Sequence, residues 1–152
     1  MNKRFLPWLA GFLLSVTAHG QSLDLPVPAT AHWQSFRYHQ LTAQTTADDC
    51  GLRSLETLLH LVGFAHKVSD RNGANLLRPG VTMADLQDHL TALGVNSQGY
   101  WLEPQHLIYY FSSPERPPLV LHWHGVIPHF LLAVGTWDSW ILIGDPAVGW
   151  QW

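Results

Sequence analysis

The sequence has a single cysteine, Cys50, among its 152 residues. A lone cysteine excludes an intramolecular disulfide framework, so the fold has to be held together by a hydrophobic core. Hydrophobic residues make up 47% of the chain, and its length suits one domain with one such core. The thiol itself is left with three interpretations: a buried inert group, an intermolecular bridge, or a reactive group kept for chemistry.

Charge is also scarce. Charged residues make up 12% of the sequence, with 8 Lys and Arg against 11 Asp and Glu, and no run of basic residues occurs. Binding to nucleic acid depends on a basic surface that neutralises phosphates, so we expect no nucleic acid partner. The high hydrophobic content predicts a globular chain.

Long hydrophobic runs are limited to the N-terminus. Residues 5–16 form an apolar run that follows two basic residues and is too short to span a bilayer well. Ala18 and Gly20 place small residues before a cleavage point. This pattern predicts a signal peptide over residues 1–20, cleaved after Gly20 or Ala18, with an uncleaved membrane anchor as the alternative.

The predicted signal peptide indicates where the chain is located and where its folded domain begins. We expect transport across the inner membrane into the periplasm, with membrane contact only through the signal peptide during export. Residues 21–43 form a proline-containing lead-in segment, and residues 44–152 form the folded domain.

Helical patterns dominate the first half of this domain. Leucines recur at helical spacing from Cys50 onward, which predicts a helix that begins at the thiol and stops at Gly63. Asp48 or Asp49 is expected to cap it. Thr82 and Asp85 predict the capped start of a second helix.

Strand-like patterns dominate the second half. A short helix with proline at its first position is expected between the first two strands. The turn at residues 136–139 predicts a hairpin of the last two strands. The fold class is therefore α+β, with N-terminal helices packed on a C-terminal antiparallel sheet. The predicted strands are Val95–Leu102, Leu119–Trp123, Phe130–Trp137 and Trp140–Gly144, with the helix at Pro104–Phe111.

The hairpin and the cysteine suggest a catalytic site. A thiol at a helix start lies at the positive end of the helix dipole, which favours the thiolate. Asp145 follows His129 by sixteen residues, so the hairpin should place them at the same end of the sheet. We expect Asp145 to accept the Nδ1–H of His129 and Nε2 to face the thiol. The Gln44 amide and the Cys50 N–H could hold an oxyanion.

A histidine cluster offers a competing site. His122, His124 and His129 stand in a His-x-His-x4-His pattern, and three imidazoles can bind zinc. No carboxylate or cysteine lies inside this pattern, and histidines at a sheet edge are the simpler interpretation. We therefore expect no metal and no cofactor.

Four segments resemble the bacteriocin-processing (double-glycine leader) cysteine peptidase family over roughly residues 34–152. The resemblance implies a papain-like fold with Cys50 as the nucleophile and His129 as the base. It also implies that Asp145 orients the base and that Gln44 contributes to the oxyanion hole. The segments are Gln44-x4-Asp49-Cys50-Gly51, Gly80-Val81-Thr82-Met83-Ala84-Asp85-Leu86, His129-Phe130 and Asp145-Pro146-Ala147-x-Gly149.

The resemblance also implies a function. It implies a secreted cysteine peptidase that cleaves peptide or protein substrates through a thioester acyl-enzyme, with a family preference for cutting after Gly-Gly. Many relatives are fused to an ATP-binding exporter, whereas this chain is similar to the stand-alone secreted members. The alternatives are a non-catalytic peptide-binding or assembly module on the same fold, or another thiol acyl-transferase.

The chain departs from the family at two places. Leu52-Arg53-Ser54 follow Cys50-Gly51 where small residues are common in relatives. The sequence also stops at Trp152, where relatives continue with another strand or helical segment. Either the domain is minimal or the sequence is truncated at its C-terminus, and truncation would leave Asp145 poorly supported.

Overall fold

The computed structural model describes residues 9–13, 38–64, 78–113 and 115–152. These residues form three helices and six strands, which follow the predicted order of helices and strands from Cys50 onward. In chain order they are β1 (Leu9–Leu13), α1 (Cys50–Leu61), α2 (Met83–Ala92), β2 (Gln98–Leu102), α3 (Pro104–Tyr110), β3 (Leu119–His124), β4 (Pro128–Trp137), β5 (Trp140–Asp145) and β6 (Gly149–Gln151).

Helix α1 forms the centre of the core, as its leucine spacing predicts. The side chains of Leu55, Leu58 and Leu59 are almost fully buried because they share the face that packs on the sheet. The helix begins at Cys50 and is followed at Gly63 by a positive φ of 81°, so the predicted start and stop are both confirmed.

Helices α2 and α3 begin as their sequences predict. Thr82 and Asp85 form a reciprocal capping box at the start of α2. Pro104 occupies the first turn of α3, where its missing N–H costs nothing. The predicted short helix is therefore confirmed, one residue shorter at its end.

The strands form a single six-stranded sheet in the order β2-β1-β3-β4-β5-β6, with each neighbouring pair antiparallel. Strands β4 and β5 make the predicted hairpin, with Trp137 opposite Trp140. The start of β4 and the end of β5 therefore lie at the same end of the sheet, on the side away from the hairpin turn. Strand β6, which the sequence analysis missed, pairs with β5.

Helices cover both faces of this sheet. Val120, Phe130 and Leu132 pack with the helices α1 and α2. The opposite face contributes Leu119, Leu121 and Ala133, which pack with Leu107 and Phe111 at α3. The mixed architecture of helices and antiparallel sheet is confirmed. The helices are less segregated than expected, because α3 follows β2 in the chain and lies on the other face.

Strand β1 lies inside the predicted signal peptide. Its backbone pairs with two strands at once, and Gly11 stands opposite Tyr100 on β2 and Leu121 on β3. Cleavage after Gly20, which stays a prediction, would remove this strand from the sheet. The lead-in residues 21–37 lie outside the described part of the chain. None of the three helices in the described ranges has the length and the apolar character of a membrane span.

Candidate active site

The thiol of Cys50 lies at the contact between the first turn of α1 and strand β4. A Cβ atom added at Gly51 would lie 3.2 Å from Cδ2 of Phe130 and 3.4 Å from Cγ1 of Val81. The absence of a side chain at Gly51 therefore lets the helix start approach the strand closely. As a result, the thiol reaches both the backbone N–H of Phe130 and the ring of His129.

His129 and Asp145 lie side by side, as the hairpin predicts. Nε2 of His129 lies 2.8 Å from Oδ1 of Asp145. The expected choice of ring nitrogen is wrong, because Nε2 contacts the carboxylate and Nδ1 is the nitrogen left for the thiol. Strand pairing decides which residues are neighbours, but the rotation of the ring depends on the direction from which α1 brings the thiol.

The electrostatics of this group favour a charged pair. Burial acts to raise the pKa of Cys50, but hydrogen bonds from His129 and the Phe130 N–H outweigh it, so the pKa is lowered. Hydrogen bonds to Asp145 and then to Cys50 raise the pKa of His129 to about 9. The two opposite shifts favour a thiolate beside an imidazolium at neutral pH.

The turn after Asp145 is held by residues of this chain. Oδ1 of Asp145 accepts a hydrogen bond of 2.7 Å from the Ala147 N–H. Burial acts to raise the pKa of Asp145, but the hydrogen bonds from His129 and Ala147 outweigh it and lower the pKa. Strand β6 then pairs with β5, and the Trp150 indole donates to the His39 carbonyl oxygen at 2.7 Å. The carboxylate is therefore well supported within the described residues.

The loop that precedes Cys50 is tied to this same turn. The Gln44 N–H donates to the Pro146 carbonyl oxygen at 2.9 Å, and the Tyr38 hydroxyl donates to the Ala147 carbonyl oxygen at 2.8 Å. Oε1 of Gln44 is buried and makes no hydrogen bond within the part of the chain that the structure describes. This oxygen is an acceptor, so only an N–H or O–H donor could satisfy it.

The expected cap of α1 by the side chain of Asp48 or Asp49 is wrong, and Asp49 has another role. This residue occupies the N-cap position of α1, but its side chain caps no helical N–H and is completely buried. The carboxylate instead accepts hydrogen bonds from Thr45, Thr46 and Arg53. The spacing of four residues from Thr45 to Asp49 and from Asp49 to Arg53 is the signal that could have indicated it.

Two of the three histidines lie side by side on β3, whereas His129 on β4 contacts Asp145. The rings of His122 and His124 lie 4.2 Å apart on β3, and the His122 ring stacks on Phe130 at 4.3 Å. Burial, followed by the charges of His124 and His129, lowers the pKa of His122 to about 4. Across the described ranges no group of three or more potential ligands is arranged to hold a metal ion.

The arrangement of thiol, imidazole and carboxylate suits acyl transfer. A thiolate can attack a carbonyl carbon, and a neighbouring imidazolium can protonate the leaving group. The carboxylate stabilises the imidazolium and fixes the orientation of its ring. The structure thus brings Cys50, His129 and Asp145 into one hydrogen-bonded series, with Gln44 on the adjoining loop.

Comparison with known proteins agrees with this chemistry. The sequence model of the peptidase C39 family matches residues 37–152. The chain belongs to the peptidase C39 family. A protein of Pseudomonas fluorescens named a probable functional amyloid protease is 27% identical to this chain over 122 residues. That match covers 74% of this chain and 52% of the relative, so this C39 chain spans about half of the relative's length. No solved structure gave a significant match.

Proposed function

We propose that the chain is an exported cysteine peptidase with a papain-like fold, in which Cys50 is the nucleophile. The observation that carries this proposal is the series Cys50–His129–Asp145, in which the thiol pKa is lowered and the imidazole pKa is raised to about 9. The family membership supports a peptidase, and the one cysteine of the sequence supplies the nucleophile for this catalytic type.

The proposed reaction proceeds in two steps. The Cys50 thiolate attacks the carbonyl carbon of the scissile peptide bond, and His129 gives its proton to the leaving nitrogen as the C–N bond breaks. The resulting thioester is attacked by water, which loses a proton to His129. Breakage of the C–S bond then releases the carboxylic acid and restores the thiolate.

Two groups would stabilise the oxyanion of each step. The backbone N–H of Cys50 belongs to the first turn of α1, where the N–H groups have no partner within the helix. Gln44 stands on the loop that leads to Cys50, and the NH2 group of its side-chain amide would be the donor. Donors at such positions act on the charge that develops during the reaction.

The substrate class is proposed from the resemblance and from the relative. A preference for cleavage after Gly-Gly is the specificity we propose from the double-glycine leader family. The relative's name adds a protein of a functional amyloid system as a second type of substrate to test. Export to the periplasm, directed by residues 1–20, would bring the enzyme to such substrates.

A comparison of two substrate types tests the proposal. The full chain is incubated with peptides that contain Gly-Gly and with glutamine amides, and products are identified by mass spectrometry. We expect hydrolysis of the peptides and complete loss of this activity in a Cys50→Ser variant. Peptides that bind without being cleaved would instead indicate a binding module. Release of ammonia from the amides alone would indicate another thiol acyl-transferase.

A further inference from the structure

Two neighbouring acids precede the nucleophile, and they differ completely in environment. Asp48 is exposed, whereas Asp49 has no exposed surface. Burying a carboxylate is costly unless hydrogen bonds and an opposite charge compensate it. The buried acid at position 49 therefore has to be explained by its partners.

The partners of Asp49 all lie on the loop before Cys50 or on the next turn of α1. Its oxygens accept from the Thr45 N–H at 3.1 and 3.2 Å, from the Thr45 hydroxyl at 2.8 Å and from the Thr46 N–H at 3.3 Å. Nε of Arg53 lies 3.0 Å from Oδ2. Burial acts to raise the pKa of Asp49, but these hydrogen bonds outweigh it and lower the pKa.

Arg53 balances the buried charge. Its guanidinium contacts Asp49 with one nitrogen and Glu56 with another, the second at 2.8 Å. Arg53 therefore supplies the positive charge beside the buried carboxylate that organises the loop.

The direction of the Asp49 side chain matters for the thiol. An acid at an N-cap usually accepts from the second or third N–H of its helix, here Gly51 or Leu52. A carboxylate in that position would lie beside the thiol and compete for the same N–H groups. Because Asp49 turns toward the loop, the Gly51 N–H remains available to the sulfur of Cys50.

We propose that Asp49 is a positioning residue for the oxyanion-binding side of the site, an assignment that rests on the proposed function. The loop from Gln44 to Asp49 is fixed at one end by the bond from the Gln44 N–H to Pro146 and at the other by the Asp49 carboxylate. The groups that Asp49 holds belong to Thr45 and Thr46, which directly follow Gln44, so the carboxylate fixes the backbone next to this glutamine. Asp49 acts through Gln44 and touches no reacting atom.

Two reagents that react with the same thiol test this role in the full chain. Iodoacetamide reports only the reactivity of the thiol, which depends on His129. The peptide aldehyde acetyl-Leu-Gly-glycinal adds the sulfur of Cys50 to its carbonyl carbon, and the resulting hemithioacetal places its oxygen in the oxyanion site. We expect Asp49→Ala to weaken aldehyde binding by about 10- to 100-fold, with alkylation changed by less than about threefold.

Two further variants provide the controls. Asp48→Ala removes the neighbouring exposed acid and should change neither reaction. Asp49→Asn keeps one acceptor oxygen for the loop N–H groups, so its aldehyde affinity should lie between those of Asp49→Ala and the unmodified chain. If the alanine variant does not fold, Asp49→Asn tests the positioning role by itself. We then expect weaker aldehyde binding and unchanged alkylation in this variant.

Three outcomes would overturn the assignment. Variants at position 49 that bind the aldehyde as tightly as the unmodified chain would show that the loop needs no such anchor. Parallel losses of alkylation and aldehyde binding would show a role in stability alone. An unmodified chain that is alkylated but binds no aldehyde would overturn the proposed function, and the assignment with it.

Discussion

The first turns of α1 and α2 differ in whether a side chain caps their N–H groups. Both helices present N–H groups that have no partner within the helix. At α2, the Thr82 hydroxyl accepts from the Asp85 N–H at 3.2 Å, and the Asp85 carboxylate accepts from the Thr82 N–H at 2.7 Å. At α1, no side chain caps the helix, although an acid stands at the N-cap position.

The capped start of α2 has a structural role, whereas we propose that the uncapped start of α1 has a role in catalysis. The cap at α2 satisfies its donors and brings negative charge to the positive end of the dipole, which stabilises the helix. At α1, no side chain occupies the equivalent donors; the Gly51 N–H bonds to the sulfur of Cys50, and we propose that the Cys50 N–H serves an oxyanion. Under the proposed function, the helix start that lacks a stabilising side-chain cap is the one that would bind an anion.

The largest expected effect is at the base. We expect His129→Gln to lower peptidase turnover by about 10²- to 10⁴-fold, because the variant can neither stabilise the thiolate nor transfer a proton. Steady-state hydrolysis of a Gly-Gly peptide at pH 7 would measure it. The matched control is His122→Gln on the adjacent strand, which should change turnover by less than about threefold. Equal losses in the two variants would contradict the assignment of the base.

A smaller effect is expected at the acid that orients the base. Asp145→Asn keeps an oxygen that can accept from Nε2 of His129 but removes the negative charge. A hydrogen bond to a charged group is worth about 1 kcal/mol more than a neutral one, so turnover should fall by roughly fivefold. The pKa of His129, followed by NMR, should fall from its value of about 9. An unchanged pKa would show that Asp145 does not raise it.

The smallest expected effect on chemistry is at the capped helix. Thr82→Ala removes the hydroxyl that caps α2 and should lower the free energy of unfolding by about 1 kcal/mol. Urea denaturation would measure this loss. The rate of Cys50 alkylation should stay unchanged, because α2 contributes no group to the site. A changed alkylation rate would mean that the two helix starts are not independent.

Much of this arrangement could be predicted from the sequence. The spacing of the leucines after Cys50 predicts α1, because only a helix brings residues at that spacing to one face. The short turn after Trp137 predicts the hairpin, and the hairpin brings His129 and Asp145 together. These inferences depend on local periodicity and turn chemistry, which the sequence displays directly.

The parts that could not be predicted depend on competition in the folded state. The Asp49 carboxylate could accept hydrogen bonds either from the N–H groups of the helix start or from the loop and Arg53. In the folded chain it accepts them from the loop and Arg53. The ring orientation of His129 depends on the approach of α1. Strand β1 carries an apolar pattern that a signal peptide shares, so the pattern alone does not distinguish a strand in the sheet from a segment that is removed.

The proposed function depends on a Cys50 thiolate paired with the His129 imidazolium. The rate of Cys50 alkylation by iodoacetamide, measured from pH 4 to pH 10, tests it most directly. We predict fast alkylation well below the ordinary thiol pKa of 9.0 and a second change in rate near pH 9, where the imidazolium loses its proton. A single transition at the ordinary thiol pKa, with slow alkylation at pH 6, would show that Cys50 and His129 do not form this ion pair.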